Sequence, residues 1–464
     1  MKTPPSLLKP FGKSSVFPPG SVLVCLLCLV LASTGSAQDK IWTNGAGNGS
    51  WGGGNNWSPA GVPTAASVIT TNVAGNTNTT VSGGFAISGM IENRDSGIWT
   101  IQSTNKVDAT LSISGTLSKS GESVLRFTGS SNTPAGAVNL SISQIEMAGG
   151  TLDFGVFSGV TSLSSGGVHA TGGLIKFNVQ NDYNLGAVVM EGGVLELNSG
   201  NHPDWKIIVN SLSGVGGFIQ ASTGINANTT TLIANQSGNT TLASTLEDGN
   251  SGASVLALQK NGTGTLALTG VNTYTGGTVV SGGALRVDGS ITGTITIEAN
   301  GTLGGSGTVG DILLSGGTLA SEDAPGVLHA TSLAWNSGVV DLALGGSPEQ
   351  SDFLDLSGNF TGSGPLHFTF EDNGWKVGTT YDLIGFESTS LSLEMFDFTN
   401  GGGFAGVFQW NNTEDPAILQ FTLTSVPEPT SGTILTILGG GWIVVAGCRR
   451  LLRCGADRAR QAIV

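Results

Sequence analysis

The chain has 464 residues, 74 of them Gly, and only 11% are Asp, Glu, Lys or Arg. Gly at more than twice its usual ~7% excludes a mainly helical protein, because each interior helical Gly costs ~1 kcal/mol against Ala. The lack of a Gly-x-y period excludes a collagen helix, and low charge argues against disorder. The formal net charge of −14, from 18 basic and 32 acidic residues, sets the chain against nucleic acid, whose phosphates need clustered Lys and Arg.

The N-terminus reads as an export signal. Lys2, Lys9 and Lys13 precede an apolar run from Val22 to Ala32, and the small residues Gly35 and Ala37 follow. A positive n-region, an h-region and a small-residue site predict removal of residues 1–37 by signal peptidase, between Ala37 and Gln38. The apolar run is short for a ~30 Å bilayer core. All four cysteines (Cys25, Cys28, Cys448 and Cys454) lie in the two end segments, so the segment between them is expected to fold without disulfides. It carries a formal charge of roughly −20, which suits a soluble extracellular surface or loose cation binding.

Residues 38–74 hold Trp42, Trp51 and Trp57 among glycines and asparagines. Two readings stand. The cluster caps the exposed apolar face of a terminal repeat, or it offers indole faces to carbohydrate.

From 75 to 320 a Gly-Gly pair recurs with a fixed sequel. Gly149-Gly150 is followed by Leu152, Asp153 and Phe154; Gly172-Gly173 by Ile175, Lys176 and Phe177; Gly192-Gly193 by Leu195, Glu196 and Leu197. Gly282-Gly283 leads to Leu285, Arg286 and Val287, and Gly316-Gly317 to Leu319. Each copy is a turn followed by a strand with apolar residues inward and a charge outward. The spacing of roughly 20 residues predicts an all-β solenoid of about twelve rungs stacked ~4.8 Å apart. Asp153, Lys176 and Glu196 are then expected outward on neighbouring coils. A β-sandwich is the alternative that also shows turns at short intervals.

The fullest copy spans 256–287. It contains Lys260-Asn-Gly262-Thr-Gly264-Thr-Leu266, Asn272-Thr-Tyr274-Thr-Gly276-Gly277-Thr278 and Gly282-Gly283-Ala-Leu285. These motifs resemble the autotransporter-associated β-strand (passenger) repeat. The resemblance implies a right-handed parallel β-helix in a secreted passenger. It does not extend to an outer-membrane barrel, which needs many alternating strands of about ten residues.

From 321 to 425 the Gly-Gly signature stops and bulkier strands appear, as in Leu366-His-Phe368-Thr-Phe370, with a hairpin signal at Asn373-Gly374. This stretch is read as a C-terminal β module. Residues 426–464 follow: Val426-Pro427-Glu428-Pro429, an uncharged run from Ile434 to Ala446, then Arg449 and Arg450. The run with its flanks reaches about 18 residues, enough for one transmembrane helix with the arginines cytoplasmic. The three parts in order resemble a PEP-CTERM sorting signal. That resemblance implies recognition at Pro427, Glu428 and Pro429 by an exosortase-like membrane protease, a membrane stop at Arg449 and Arg450, and exopolysaccharide as partner. The tail is longer than usual for the family, and an ordinary single-pass anchor is the alternative.

Signals for catalysis are weak. Gly-x-Gly-x-x-Gly at Gly47, Gly305 and Gly401 is no more than this Gly content produces by chance. Val309 stands where the calcium-binding nonapeptide needs Asp. His169, His202, His329 and His367 show no zinc spacing. Asp182, Glu191 and Lys176, the pair Glu371-Asp372 and the pair Asp352/Asp355 are the carboxylate groupings to check against a polysaccharide lyase or hydrolase. The expectation is an exported structural and adhesive solenoid at the cell surface or in the extracellular matrix, with no catalytic residue, metal or cofactor. A polysaccharide-cleaving β-helix or a carbohydrate-binding module is the alternative.

Overall fold

The computed structural model describes residues 38–425, apart from 72, 104–107, 130–137, 156–159, 179–182, 199–205, 223–227, 250–253, 321–325, 400–402 and 414–415. The expected signal peptide and the expected sorting segment with its transmembrane helix, including Ala37, Pro427, Glu428, Pro429, Arg449 and Arg450, lie outside the described residues. Among the described residues no helix is long and apolar enough to cross a membrane.

Strands dominate. The helical segments among the described residues are the single 3-10 turns Gly54–Asn56, Pro348–Gln350 and Leu393–Met395. The strands form a parallel β-solenoid of about 11 turns. Pairing between coils is in register. Leu125 meets Leu152, which meets Ile175, then Leu195, Ile219 and Leu246. Two positions on, Phe127, Phe154, Phe177 and Leu197 form a second inward column. The phenyl rings stack face to face, 5.4 Å from Phe127 to Phe154 and 5.1 Å from Phe154 to Phe177. A period-two strand with one apolar face yields this because identical register stacks like side chains on like. Every residue of both columns named here is buried.

The Gly pair has a structural cause. Gly193 sits at φ +73°, and a Cβ there would lie 2.6 Å from the Gly172 carbonyl carbon of the preceding coil. Both the left-handed backbone and the close chain approach therefore require Gly.

Later coils keep the plan with aliphatic columns. Leu266, Leu285, Leu303, Leu319 and Val340 stack in order. Parallel pairing thus runs through position 320, where the C-terminal module was expected to begin. It continues through the 19-residue strand Val327–Gly345 and on to Leu366 against Phe396. The glycine turns end, yet Trp335, Phe360 and Phe368 fill the inward positions, and register plus inward apolar side chains is all that stacking needs.

The hairpin expected at Asn373-Gly374 does not form. Gly374 turns the chain at φ +99°, but Leu366–Asn373 stays parallel to its neighbours. Thr380–Phe386 pairs instead with Phe353–Leu356 and with Ala417–Ser425. Antiparallel strand pairs occur near the two ends. Lys40–Trp42 pairs with Trp57–Ser58, and Ala417–Ser425 pairs with both Thr380–Phe386 and Ala405–Asn411.

Candidate functional site

The outward face carries the charges that the repeats displayed. Asp153, Lys176 and Glu196 fall on one column, opposite to the buried leucine and phenylalanine columns, and Arg126 precedes them. Arg126 Nε donates to Asp153 Oδ2 at 2.9 Å, and Lys176 Nζ lies 3.2 Å from Glu196 Oε2. The acids are more covered than outward positions suggest, with side chains 5% and 6% exposed against 31% and 30% for the bases. Burial pushes the Asp153 carboxyl up, against the pull of Arg126 and Lys176.

A second set of ties uses histidine. His169 Nδ1 lies 2.8 Å from Glu146 Oε2 on the coil before, and its Nε2 lies 3.4 Å from Glu191 Oε2 on the coil after. Burial works against its charge, but Glu146 and Glu191 outweigh it, and His169 is raised above its ordinary value. His329 pairs with Asp355 at 2.9 Å, and His367 with Asp397 at 2.5 Å. His202 and Asp182 lie outside the described residues.

The other carboxylate groupings do not converge on a shared cleft. Asp352 is buried and accepts the backbone N–H groups of Gly326 at 2.9 Å and Ala343 at 2.7 Å, while Asp355 faces His329. Glu371 and Asp372 are exposed, and Asp372 accepts the Gly374 N–H that shapes its own turn. No group of three or more His, Cys, Asp or Glu suited to a metal ion occurs among the described residues.

The three tryptophans are not a surface platform. Trp42 and Trp51 are 0% exposed and Trp57 is 2% exposed. Trp57 meets both others edge-on, at 4.9 and 5.0 Å, and donates its indole N–H to the Trp51 carbonyl at 2.8 Å. Indoles buried edge to face against one another present no open face to a sugar. They close the first coils, where Lys40–Trp42 pairs with Val68–Thr71.

The densest chemistry lies in the turns of the fullest repeat. Lys260 is wholly buried, and its ammonium donates to the carbonyls of Asn261 at 2.8 Å, Gly262 at 3.3 Å and Gly282 on the next coil at 3.0 Å. Burial pushes its amine down to about 8. Gly262 has φ +77°, and a Cβ there would lie 2.2 Å from the Gln236 carbonyl oxygen, so the residue two after the lysine must be Gly. Asn272 is also buried and spans three coils. It accepts the Leu246 N–H and donates to the Gly270 and Ser290 carbonyls, each at 3.0 Å. Tyr274 points inward, its hydroxyl 2.5 Å from Thr278 Oγ1. Lysine and asparagine of the motif thus fasten one coil to the next, the tyrosine hydroxyl ties within its own coil, and the glycine lets the coils approach.

The same lysine device stands far from that repeat. Lys119, wholly buried, donates to the carbonyls of Ser120 at 2.6 Å, Gly121 at 2.8 Å and Gly149 on the next coil at 3.3 Å. Burial lowers its amine too. Sequence reasoning missed it, though Lys119-Ser120-Gly121 repeats the Lys-x-Gly signal of Lys260-Asn261-Gly262. Beside Lys119 in register, buried Glu92 accepts from Arg94 Nε at 2.8 Å and from Ser123 Oγ at 2.7 Å.

Residues 258–287 match the family described as Passenger-associated-transport-repeat. No curated protein matches the chain. The repeat and the parallel solenoid fit a passenger-like exported β-helical protein.

Proposed function

We propose that this chain is a non-enzymatic structural and adhesive solenoid of the cell surface or extracellular matrix, wound right-handed. Signal peptidase cleaves between Ala37 and Gln38. An exosortase-like membrane protease then acts near Pro427, Glu428 and Pro429, with the terminal helix and Arg449 and Arg450 holding the precursor in the membrane. Exopolysaccharide is the partner.

One observation carries the structural reading. Four sets of charged and imidazole groups are engaged coil to coil: Arg126–Asp153, Lys176–Glu196, Glu146–His169–Glu191 and His329–Asp355. Groups engaged in this way hold a stack together. A hydrolase instead sets two carboxyl groups across a substrate cleft. The N-terminal signal, the PEP-CTERM resemblance and the passenger repeat support export and sorting.

The test is cell fractionation with C-terminal mapping by mass spectrometry, in the wild type and in Glu428→Ala. The surface form is expected to end near Pro427–Pro429, and Glu428→Ala is expected to stay in the membrane with its tail intact. A surface form that still carries Arg450 overturns the sorting mechanism. Co-sedimentation with the exopolysaccharide of the producing cell tests the adhesive role, and failure to co-sediment overturns that partner.

A further inference from the structure

Among the described residues, the closing hairpin has an open strand edge. Ala405–Asn411 pairs antiparallel with Ala417–Ser425 on one side, and among the described residues no strand pairs with its other side. Edge strands are normally protected by charge, proline or a bulge turned outward. This strand reads Ala-Gly-Val-Phe-Gln-Trp-Asn, with neither charge nor proline, and the one irregularity in its pairing lies at its start, between Ala405 and Gly406.

Its residues face two ways. Phe408 and Trp410 turn toward the aromatic layer at the end of the core, with rings 5.2 Å from Phe368 and 5.6 Å from Phe396. Both remain only half-buried, at the place where the sheet stops. Val407 and Gln409 face outward, and Val407 is 53% exposed.

The geometry points to a second copy of this chain as the occupant, with the two Ala405–Asn411 strands paired antiparallel, edge to edge, about a two-fold axis at Phe408. In that register Phe408 opposes Phe408 of the second copy, Gly406 opposes Trp410, and Val407 opposes Gln409. The free N–H and C=O groups are satisfied, and the aromatic layer runs on from one copy into the next.

Charge favours this meeting place. Two chains that each carry a net −14 repel over most of their surface, and this strip brings no charge to the contact. The chain's own tail is a poor occupant. Ser425 stands opposite Ala405, so the chain leaves beside the start of the open strand. Its next residues are Val426-Pro427-Glu428-Pro429, and two prolines in three positions cannot donate to a ladder.

The test is the mass of the full chain in mild detergent across a concentration series, by sedimentation or mass photometry. Two double variants set the register. Val407→Lys with Gln409→Lys places Lys opposite Lys at both contacts, whereas Val407→Lys with Gln409→Glu places Lys opposite Glu. Both positions are exposed, and circular dichroism checks that each variant keeps its strands. The wild type is expected to dimerise, the double-lysine variant to bind itself at least tenfold more weakly, and the lysine–glutamate variant to recover. A wild type that stays monomeric throughout, a double-lysine variant that dimerises like the wild type, or a lysine–glutamate variant that fails to recover overturns the proposal.

Discussion

The coils between Val124 and Ala221 and those between Leu256 and Leu319 share one backbone plan but fasten it differently. The earlier coils stack phenyl rings inside and pair Arg126 with Asp153 and Lys176 with Glu196 outside. The later coils stack leucines inside and turn polar groups inward, with Lys260 and Asn272 bonded to backbone on adjacent coils. The passenger-repeat match falls on the later set. Lys119 shows that the lysine fastener is not confined to it. The family signature therefore reports the chemistry of turns, while the inward columns vary freely as long as they stay apolar.

The comparison breaks or sharpens most clearly by mutation, read as local opening free energies from hydrogen exchange. The largest effect is expected from Phe154→Ala, which opens a cavity in the middle of the phenyl stack and costs about 4 kcal/mol. Leu285→Ala in the later coils is expected to cost about 3 kcal/mol, with the loss confined to the coils it touches. If Phe154→Ala costs no more than Leu285→Ala, the aromatic column adds nothing beyond its area.

Next come the lysine fasteners. Lys260→Ala and Lys119→Ala each strand three turn carbonyls, and each is expected to cost about 2–3 kcal/mol. Similar losses at both sites sharpen the claim that the device is shared. A loss at Lys260 alone would tie it to the matched repeat.

Lys176→Ala removes a half-exposed partner and is expected to cost less than about 1 kcal/mol. Added salt should shrink this cost, whereas the cost of Lys260→Ala should hardly change, because buried contacts are screened far less.

The smallest effect concerns His169. Its folded value is raised above the ordinary 6.5, so the stability it adds is fully present below 6.5 and is lost as pH rises through the raised value. The melting temperature of the wild type should therefore exceed that of His169→Gln by more at acidic than at alkaline pH. The reverse order would remove Glu146 and Glu191 as its partners.

Much of the plan was legible because it is local. Leu152, Asp153 and Phe154 alternate along a strand, and alternation alone separates inward from outward. The repeated Gly pairs set the turns, so the columns and the shared register of Asp153, Lys176 and Glu196 followed. The cover over Asp153 and Glu196 was not legible, because it comes from neighbours on other coils. Nor was the burial of Trp42, Trp51 and Trp57, since a cluster of indoles reads alike as a cap or as a surface. The hairpin signalled at Asn373-Gly374 was misread, because a strand ends there but its partners lie far along the chain.

By itself the sequence determined a glycine-punctuated stack of strands over 75–320 with no cysteine to bridge it, because turn residues and period-two alternation act within a few positions. Only the tertiary structure decided that the motif lysines face inward onto carbonyls of the next coil, that parallel pairing runs on past Leu319, and that Ala405–Asn411 has one edge unpaired among the described residues. Each of these depends on which backbone lies about 4.8 Å away in the neighbouring coil, and spacing along one chain does not specify that neighbour.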